Sequence, residues 1–237
     1  MHPVIIVTGA SGGLGVSSLA AVTATVLSRD AAPTLVDGGF GAGGLDATLA
    51  VEHVDGLRWE DLTEHEGEVD ATRLRQSLPE GPVPVLAARG GRPEVATVRA
   101  VTHGLARVGP VVIDVPSGPR VPRVWLELAD VVVVLVGLRP RWLRDGEALA
   151  GGLGEVAERP LLVTRGPRRA SRVAVRASDH LGLPLLDHLA DDPGVVRDEA
   201  RGRAPRPRGA AGEIARALAA ALPEEHPAAE RVLGLAS

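Results

Sequence analysis

Short apolar runs alternate along this chain with longer stretches in which apolar residues recur every three or four positions. The stretches of that period are typical of helices, and the first helical face carries Leu19, Val22 and Val26. The short runs predict seven strands: Val4–Val7, Thr34–Val36, Val83–Leu86, Val111–Ile113, Val131–Val136, Leu161–Val163 and Leu185–Leu186. Such alternation favours an α/β fold, a doubly wound domain with a mostly parallel twisted sheet and helices on both faces.

The later helical stretches complete one domain over residues 1–222. Their apolar faces are Val95, Val98, Thr102 and Leu105; Val121, Val124, Trp125 and Leu128; Trp142, Leu149, Leu153 and Val156; and Ile214, Leu218 and Leu222. Residues 198–209 combine proline, glycine and four arginines, which predicts a mobile loop. Residues 223–237 are expected to form a flexible tail.

Composition narrows the class of protein. The 237 residues carry a net charge of −4, which does not favour general nucleic-acid binding. The absence of cysteine excludes disulfides, thiolate metal sites and a cysteine nucleophile, and is typical of a reducing cytoplasm. The longest apolar run, Val131–Val136, is too short to span a membrane, and the start does not resemble a signal peptide. We therefore expect a cytoplasmic protein.

The basic residues show an unusual bias. All 26 are arginine, and the chain contains no lysine, tyrosine or asparagine. Any chemistry that requires a lysine or a tyrosine is therefore unavailable.

A glycine-rich turn, Gly9–Ser18, follows the first predicted strand and opens a helix. Glycines let the backbone approach an anion, and the helix N-terminus offers free N–H groups. The candidate binding residues are Gly12, Gly13, Gly15, Ser17 and Ser18. Turns of this kind also occur as tight strand–helix connections that bind nothing.

Two enzyme families have similar turns. The turn resembles the TGxxxGxG turn of short-chain dehydrogenases, but their catalytic tyrosine and lysine do not exist in this chain. The sequence around Ser11 also fits the G-x-S-x-G elbow of α/β-hydrolases, although that elbow normally lies well inside the sheet rather than on the first strand. A noncatalytic dinucleotide binder, with Asp37 contacting the ribose, stays open as an alternative.

The third similarity is to the MinD/ParA group of P-loop ATPases, whose loop reads G-K-G-G-x-G-K-[ST]-[ST]. Aligned on residues 12–15, this chain has Ser11 for the signature lysine and Val16 for the phosphate-binding lysine, whereas Ser17 matches the Mg²⁺-coordinating hydroxyl. Residues 36–46 resemble the first switch, and residues 112–118 resemble the D-x-P-x-G motif. In all, the resemblance covers about residues 3–222.

Within that group, the chain resembles the actinobacterial CpaE/TadZ-like, septum-site-determining proteins. The resemblance rests on residues 43–46, 55–62, 163–167 and 181–185. Many relatives carry a receiver-like domain before the ATPase-like one, and the resemblance over residues 3–222 concerns the ATPase-like part alone. The likeness implies a localisation or assembly regulator of septum placement or of Flp/Tad pilus assembly, with protein partners from that system.

The resemblance also implies a cofactor site for ATP or ADP with Mg²⁺. Asp37 and Asp114 join the glycines and serines of the turn as cofactor-binding residues, and Ser17 and Asp114 are the metal ligands. The departures predict weak or no hydrolysis: two lysines are missing, Gly39 replaces the second switch aspartate and Thr164 replaces the asparagine near the base. No catalytic residue is assigned. Alternatively, Ser17 caps the helix and the aspartates only end their strands.

Three further expectations concern surfaces. A homodimer, if formed, would use the P-loop face and the segment after Gly39, where Phe40 is either an exposed contact or part of the core.

The three tryptophans serve packing or a partner surface, and the seven histidines lack metal-ligand spacing. The acidic tail predicts no strong membrane anchor. A weak ATPase that uses arginine from elsewhere is the remaining alternative.

Overall fold

A computed structural model of the protein describes residues 1–41, 44–62, 69–154, 157 and 159–222. Its seven strands form one parallel sheet in the order β3-β2-β4-β1-β5-β6-β7. The strands are β1 (Val4–Gly9), β2 (Thr34–Asp37), β3 (Val85–Leu86), β4 (Val111–Asp114), β5 (Val131–Gly137), β6 (Pro160–Gly166) and β7 (Leu185–Ala190). The predicted doubly wound α/β fold and all seven predicted strands are confirmed.

Helices within the described residues cover both faces of the sheet. They are α1 (Val16–Leu27), α2 (Leu45–Leu49), α3 (Ala71–Gln76), α4 (Val95–Val108), α5 (Arg123–Leu128), α6 (Pro140–Leu153), α7 (Ser171–Leu181), α8 (Pro193–Glu199) and α9 (Gly209–Ala221), with a 3-10 helix at Trp59–Leu62. None of these helices is both long and apolar enough to cross a membrane.

Alternation along the central strands produces two apolar layers. Ile6 and Ile113 face one layer, which α4, α5 and α6 cover. Ile5 and Val112, one residue away, face the opposite layer beneath α1 and α9. All residues of β1 and β5 are buried, because helices cover a parallel sheet on both sides.

The position of β4 distinguishes this sheet from a dinucleotide-binding fold. Here β1 pairs with β4 and β5, so β4 separates β1 from β2. In the 3-2-1-4-5-6 order of dinucleotide-binding folds the first two strands are neighbours. The topology therefore does not support the dinucleotide-binding alternative.

Some predicted details differ from the structure. Val95 is 56% exposed although the helical pattern placed it on a buried face, because it is the first residue of α4 and precedes the packed turns. The predicted loop 198–209 overlaps helices at both ends, since Asp198 lies in α8 and Gly209 begins α9. Val156 and the predicted tail 223–237 lie outside the described residues.

Candidate functional site

The glycine-rich turn connects β1 to α1 at the carboxyl edge of the sheet. Gly13 and Gly15 adopt φ values of 76° and 87°, a left-handed conformation that glycine tolerates best. Both line a cavity of about 910 Å³ together with Ser17 and Ser18. Gly12, also predicted to bind, is exposed and is not part of the cavity wall. The turn therefore presents the first N–H groups of α1 to a ligand-sized space.

Two aspartates lie beside this turn, Asp37 buried and Asp114 half-buried. Asp37 and Asp114 are register partners at the carboxyl ends of β2 and β4. The Asp37 Oδ1 atom accepts a 2.8 Å hydrogen bond from the Gly39 N–H, whereas Oδ2 is buried without a hydrogen-bond partner. The Ser17 hydroxyl donates to Asp114. Ser17 is thus not a helix cap: Gly15 holds that position.

Burial and mutual repulsion disfavour the charged forms of this acidic pair. Burial raises the pKa of Asp114 to about 6, and the nearby Asp37 carboxylate adds to that rise against the lowering by Ser17. Burial also raises the pKa of Asp37, opposed by backbone N–H groups that include the one of Gly39. Because the chain has no lysine, no ammonium group compensates these two carboxylates.

These residues fit a divalent cation. Mg²⁺ prefers oxygen ligands, and the unpartnered Oδ2 atom of Asp37, the Asp114 carboxylate and the Ser17 hydroxyl supply oxygens at one place. A bound cation would neutralise the charge that burial disfavours.

The residues at the two lysine positions serve other contacts. Val16 is buried, and its Cγ2 lies 2.8 Å from where a Cβ on Gly9 would stand, so the side chain packs on the end of β1. The Ser11 hydroxyl donates a 2.5 Å hydrogen bond to Asp145 Oδ2 on α6. Neither residue brings positive charge to the turn. Since Ser11 contacts an aspartate in place of a histidine, the hydrolase alternative has no support either.

Gly39 is in close contact with Pro116 of the D-x-P-x-G motif. A Cβ at this position would lie 2.6 Å from Pro116 Cγ. An aspartate therefore cannot replace Gly39 without a shift of the backbone or of Pro116. We term residues 37–40 the switch segment. Its packing against Pro116 leaves no room for a carboxylate side chain at position 39.

Two buried tryptophans hold the switch segment from beneath. Trp59 Nε1 donates to the Asp37 carbonyl at 2.9 Å, and Trp125 Nε1 donates to the Gly38 carbonyl at 3.0 Å. Both side chains are fully buried. The ring of Phe40 lies 5.4 Å from that of Trp59, edge-on, and 5.8 Å from that of Trp125, stacked. Phe40 is therefore half-buried against the core.

A buried arginine connects the segment that carries Trp59 to the helix after the switch. Arg58 is 1% exposed and donates hydrogen bonds to the carbonyls of Gly56 and Val54, and its Nε lies 4.0 Å from Asp46 Oδ2. Asp46 belongs to α2, which begins at Leu45, after the switch segment. The two sequence segments around Asp46 and Trp59 thus form one packed unit.

Arg165 brings a positive charge to the turn from β6. Its Nη1 donates to the Leu14 carbonyl at 3.2 Å, and its Nε donates to Asp191 Oδ1 at 2.8 Å. The adjacent Thr164 is buried, with its hydroxyl 2.8 Å from His188 Nδ1. Thr164 is thus engaged with His188, while Arg165 lines the cavity.

The far wall of the cavity comes from α8, α9 and the connection between them. Arg203 and Arg208 both contact Asp198, at 3.5 and 3.1 Å, and Arg206 also lines the space. Sequence reasoning assigned this arginine-rich stretch only as a loop. The structure shows that it faces the glycine-rich turn, a relationship that no local pattern indicates.

The structure therefore brings together six of the seven predicted cofactor-binding residues along one cavity: Gly13, Gly15, Ser17, Ser18, Asp37 and Asp114. Sequence reasoning missed Asp145 as the partner of Ser11, and the contacts of Trp59 and Trp125 with the switch segment. In the described part of the chain no cluster of three or more histidine or acidic residues forms a separate metal site.

No family model matches the chain. Two curated proteins of Mycobacterium tuberculosis, one from strain CDC 1551 / Oshkosh and one from strain H37Rv, are each 32% identical to it over 198 residues; both carry the name "uncharacterized protein". The match covers 81% of this chain and 56% of each relative, so the chain spans about half the length of the curated proteins it matches.

Solved structures of MinD and ParA proteins share the fold. A ParA family ATPase from Chlorobium tepidum superposes with a TM-score of 0.79 at 18% identity, covering 94% of this chain and all of that one. MinD in the MinC:MinD complex of Aquifex aeolicus gives 0.76 at 19%, over 94% and 98% of the two chains. Pyrococcus horikoshii MinD with Mg-ADP gives 0.67 at 19%, over 92% and 95%. The fold is therefore that of MinD/ParA P-loop NTPases.

Proposed function

We propose that this chain is an ATPase-fold regulator of localisation or assembly that acts through protein contacts with weak or no ATP hydrolysis. Its system is septum-site determination or Flp/Tad pilus assembly, as in the CpaE/TadZ-like proteins that the sequence resembles. The proposal places its partners among the proteins of that system and the chain in the cytoplasm, with recruitment to the pole or septum.

The observation that carries the proposal is the way the switch segment is held. Indole N–H groups of Trp59 and Trp125 bond to its backbone, and Gly39 packs against Pro116. A switch must have two arrangements whose balance a ligand shifts, and it shifts that balance only by its differential affinity. Because buried contacts within the chain hold the switch segment in one arrangement, a nucleotide can shift its conformation little.

The turn supports the same conclusion. Phosphoryl transfer on such a fold depends on positive charge placed at the phosphates, and here the two lysine positions hold Val16, packed on Gly9, and Ser11, bonded to Asp145. Loss of one electrostatic donor typically costs on the order of a hundredfold to a thousandfold in rate. The loss of several leaves no effective route to turnover.

A steady-state ATPase assay on the purified chain, with excess Mg²⁺, tests the proposal. We expect no turnover above the background of a Ser17→Ala, Asp114→Ala double variant. Turnover at the level of a MinD protein with intact lysines, abolished by either single substitution, would show that the chain is a working ATPase.

Nucleotide binding without turnover is the second candidate function, and Arg165 is the observation in its favour. Its guanidinium lies 3.0 Å from where a Cβ on Gly15 would stand, at the edge of the cavity that Asp37 and Asp114 also line. An arginine from β6 can thus supply charge that the turn lacks. Calorimetric titration with ATP, ADP and NAD, each with and without Mg²⁺, distinguishes this candidate: Mg²⁺-dependent ATP binding lost in Arg165→Gln supports it.

A further inference from the structure

A group of exposed arginines lies outside the lining of the cavity. It comprises Arg141 and Arg144 on α6, Arg168 and Arg169 in the loop before α7, and Arg172 and Arg176 on α7. Within the described residues, none of the six forms an ion pair with a carboxylate. We call these six residues the arginine surface.

The two helices present their arginines as neighbouring rows. Arg172 and Arg176 lie four residues apart, opposite the buried Ala174 and Ala177, so both side chains point outward from α7. His180 Nε2 on the same helix is 2.6 Å from Glu147 Oε1 on α6. That contact shows that α6 and α7 lie side by side, so the two rows are neighbours.

An apolar side chain lies between these rows. Val173 is 48% exposed and is seven residues from His180, so it shares the flank of α7 that faces α6. Val175 is 51% exposed but belongs to the opposite flank. The arginine surface therefore combines positive charge with one exposed branched aliphatic group.

The local charge is opposite in sign to that of the whole chain. The protein carries a net charge of −4. The carboxylates on α6 and α7 themselves are Asp145, which accepts from Ser11, Glu147, which His180 contacts, and the exposed Asp179. A positive surface on an acidic protein attracts anionic partners and repels copies of itself. A two-fold dimer formed through this surface would place arginines against arginines, because such an interface uses the same patch on both subunits.

We propose that the arginine surface binds an acidic protein segment that also carries apolar side chains. Carboxylates of the segment pair with the arginine rows, and an aliphatic side chain packs on Val173. A nucleic-acid backbone would use the charge but leave Val173 without a contact, which is why a protein segment fits this surface best. The proposal deepens the proposed function by naming the partner chemistry, and nucleotide turnover does not bear on it.

The contribution of the arginines to binding can be tested by fluorescence anisotropy. The probe is a labelled synthetic helical peptide with glutamate on one face and leucine on the other. We expect Arg172→Glu, Arg176→Glu together to weaken binding by about tenfold or more at low salt. The matched control reverses two exposed arginines elsewhere, Arg29→Glu and Arg73→Glu, and leaves the affinity unchanged. Equal losses in the two double variants would overturn the proposal, since net charge alone would then explain binding.

The apolar contact has its own matched pair of variants. Val173→Ser is expected to weaken peptide binding by about threefold to tenfold, from the lost burial of its methyl groups, whereas Val175→Ser on the other flank leaves it unchanged. Equal losses of peptide affinity in Val173→Ser and Val175→Ser would overturn the proposal. So would double-stranded DNA or phosphatidylglycerol vesicles that bind more tightly than the peptide with the same dependence on Arg172 and Arg176.

Discussion

At the scale of single residues, the acidic pair at the ends of β2 and β4 defines the chemistry of the cavity. Asp37 is buried and Asp114 half-buried next to each other, and no lysine is available to neutralise them. Their ionised forms at neutral pH therefore cost stability, a cost that a bound divalent cation would offset. Buried like charges of this kind are common at functional sites.

Asp114→Asn should stabilise the apo protein at neutral pH. A folded-state pKa of about 6, above the ordinary aspartate value of 3.8, means that the folded state holds the proton more tightly, so stability falls as pH rises from about 4 to 6. Removing the charge should raise the free energy of unfolding at pH 7 by roughly 1–3 kcal/mol, with a smaller gain at pH 4.5. Urea unfolding at the two pH values measures this, with exposed Asp30→Asn as control. A gain equal at both would contradict the pKa argument.

Gly39 gives a steric prediction. Because a Cβ would lie 2.6 Å from Pro116 Cγ, Gly39→Asp should destabilise the fold by about 1–3 kcal/mol instead of restoring a switch carboxylate. Gly41→Asp, where nothing lies within 4 Å of the added Cβ, is the nearby control. Thermal unfolding of both variants measures the difference, and the steric argument fails if Gly39→Asp is as stable as the control.

At the scale of elements, α5 and the 3-10 helix matter because each places one indole under the end of β2. Trp125 lies on α5 and Trp59 begins the 3-10 helix. Both donate to consecutive carbonyls of the switch segment, so two elements far apart in the chain fix the same short piece of backbone.

Trp125→Phe should loosen the switch segment. The substitution keeps an aromatic ring but leaves the buried Gly38 carbonyl without its donor, at a cost of about 1–3 kcal/mol. We expect lower stability and faster hydrogen exchange at residues 38–40. The Trp142 ring lies partly exposed under Arg139, so Trp142→Phe should leave hydrogen exchange at residues 38–40 unchanged. Unaltered exchange in Trp125→Phe would show that the indole bond does not hold the segment.

The strands and the glycine-rich turn were predictable from the sequence because their signals are local. The run 131–136 is short and rich in valine, which favours a buried strand, and Gly13 and Gly15 stand where left-handed backbone is needed. The setting of Phe40 was not predictable, since it depends on Trp59 and Trp125, which pattern analysis assigns to packing without saying against what.

The other contacts that the sequence did not predict join residues far apart along the chain. Ser11 and Asp145 are 134 residues apart, and no spacing rule connects them. The arginine-rich connection before α9 forms the far wall of the cavity only because β7 lies next to β6 and brings α8 back towards the turn. Local composition identified this stretch as irregular but could not place it in space.

At the scale of the whole molecule, the expected consequence is an oligomeric state that ATP does not change. The signature-lysine position holds Ser11, already bonded within its own chain, so a nucleotide has little differential affinity for a dimer. Analytical ultracentrifugation with and without ATP and Mg²⁺ should give the same distribution of species. An ATP-dependent shift from monomer to dimer would overturn the view that the switch segment is held.

The two indoles beneath β2 also make the protein its own optical reporter. The chain contains three tryptophans and no tyrosine, so ultraviolet emission at long wavelength comes from Trp59, Trp125 and Trp142 alone. Two of those three emitters touch the switch segment, in a dry environment that favours blue-shifted emission. A spectrum that stays blue when ATP and Mg²⁺ are added would register, without any label, a segment that does not move.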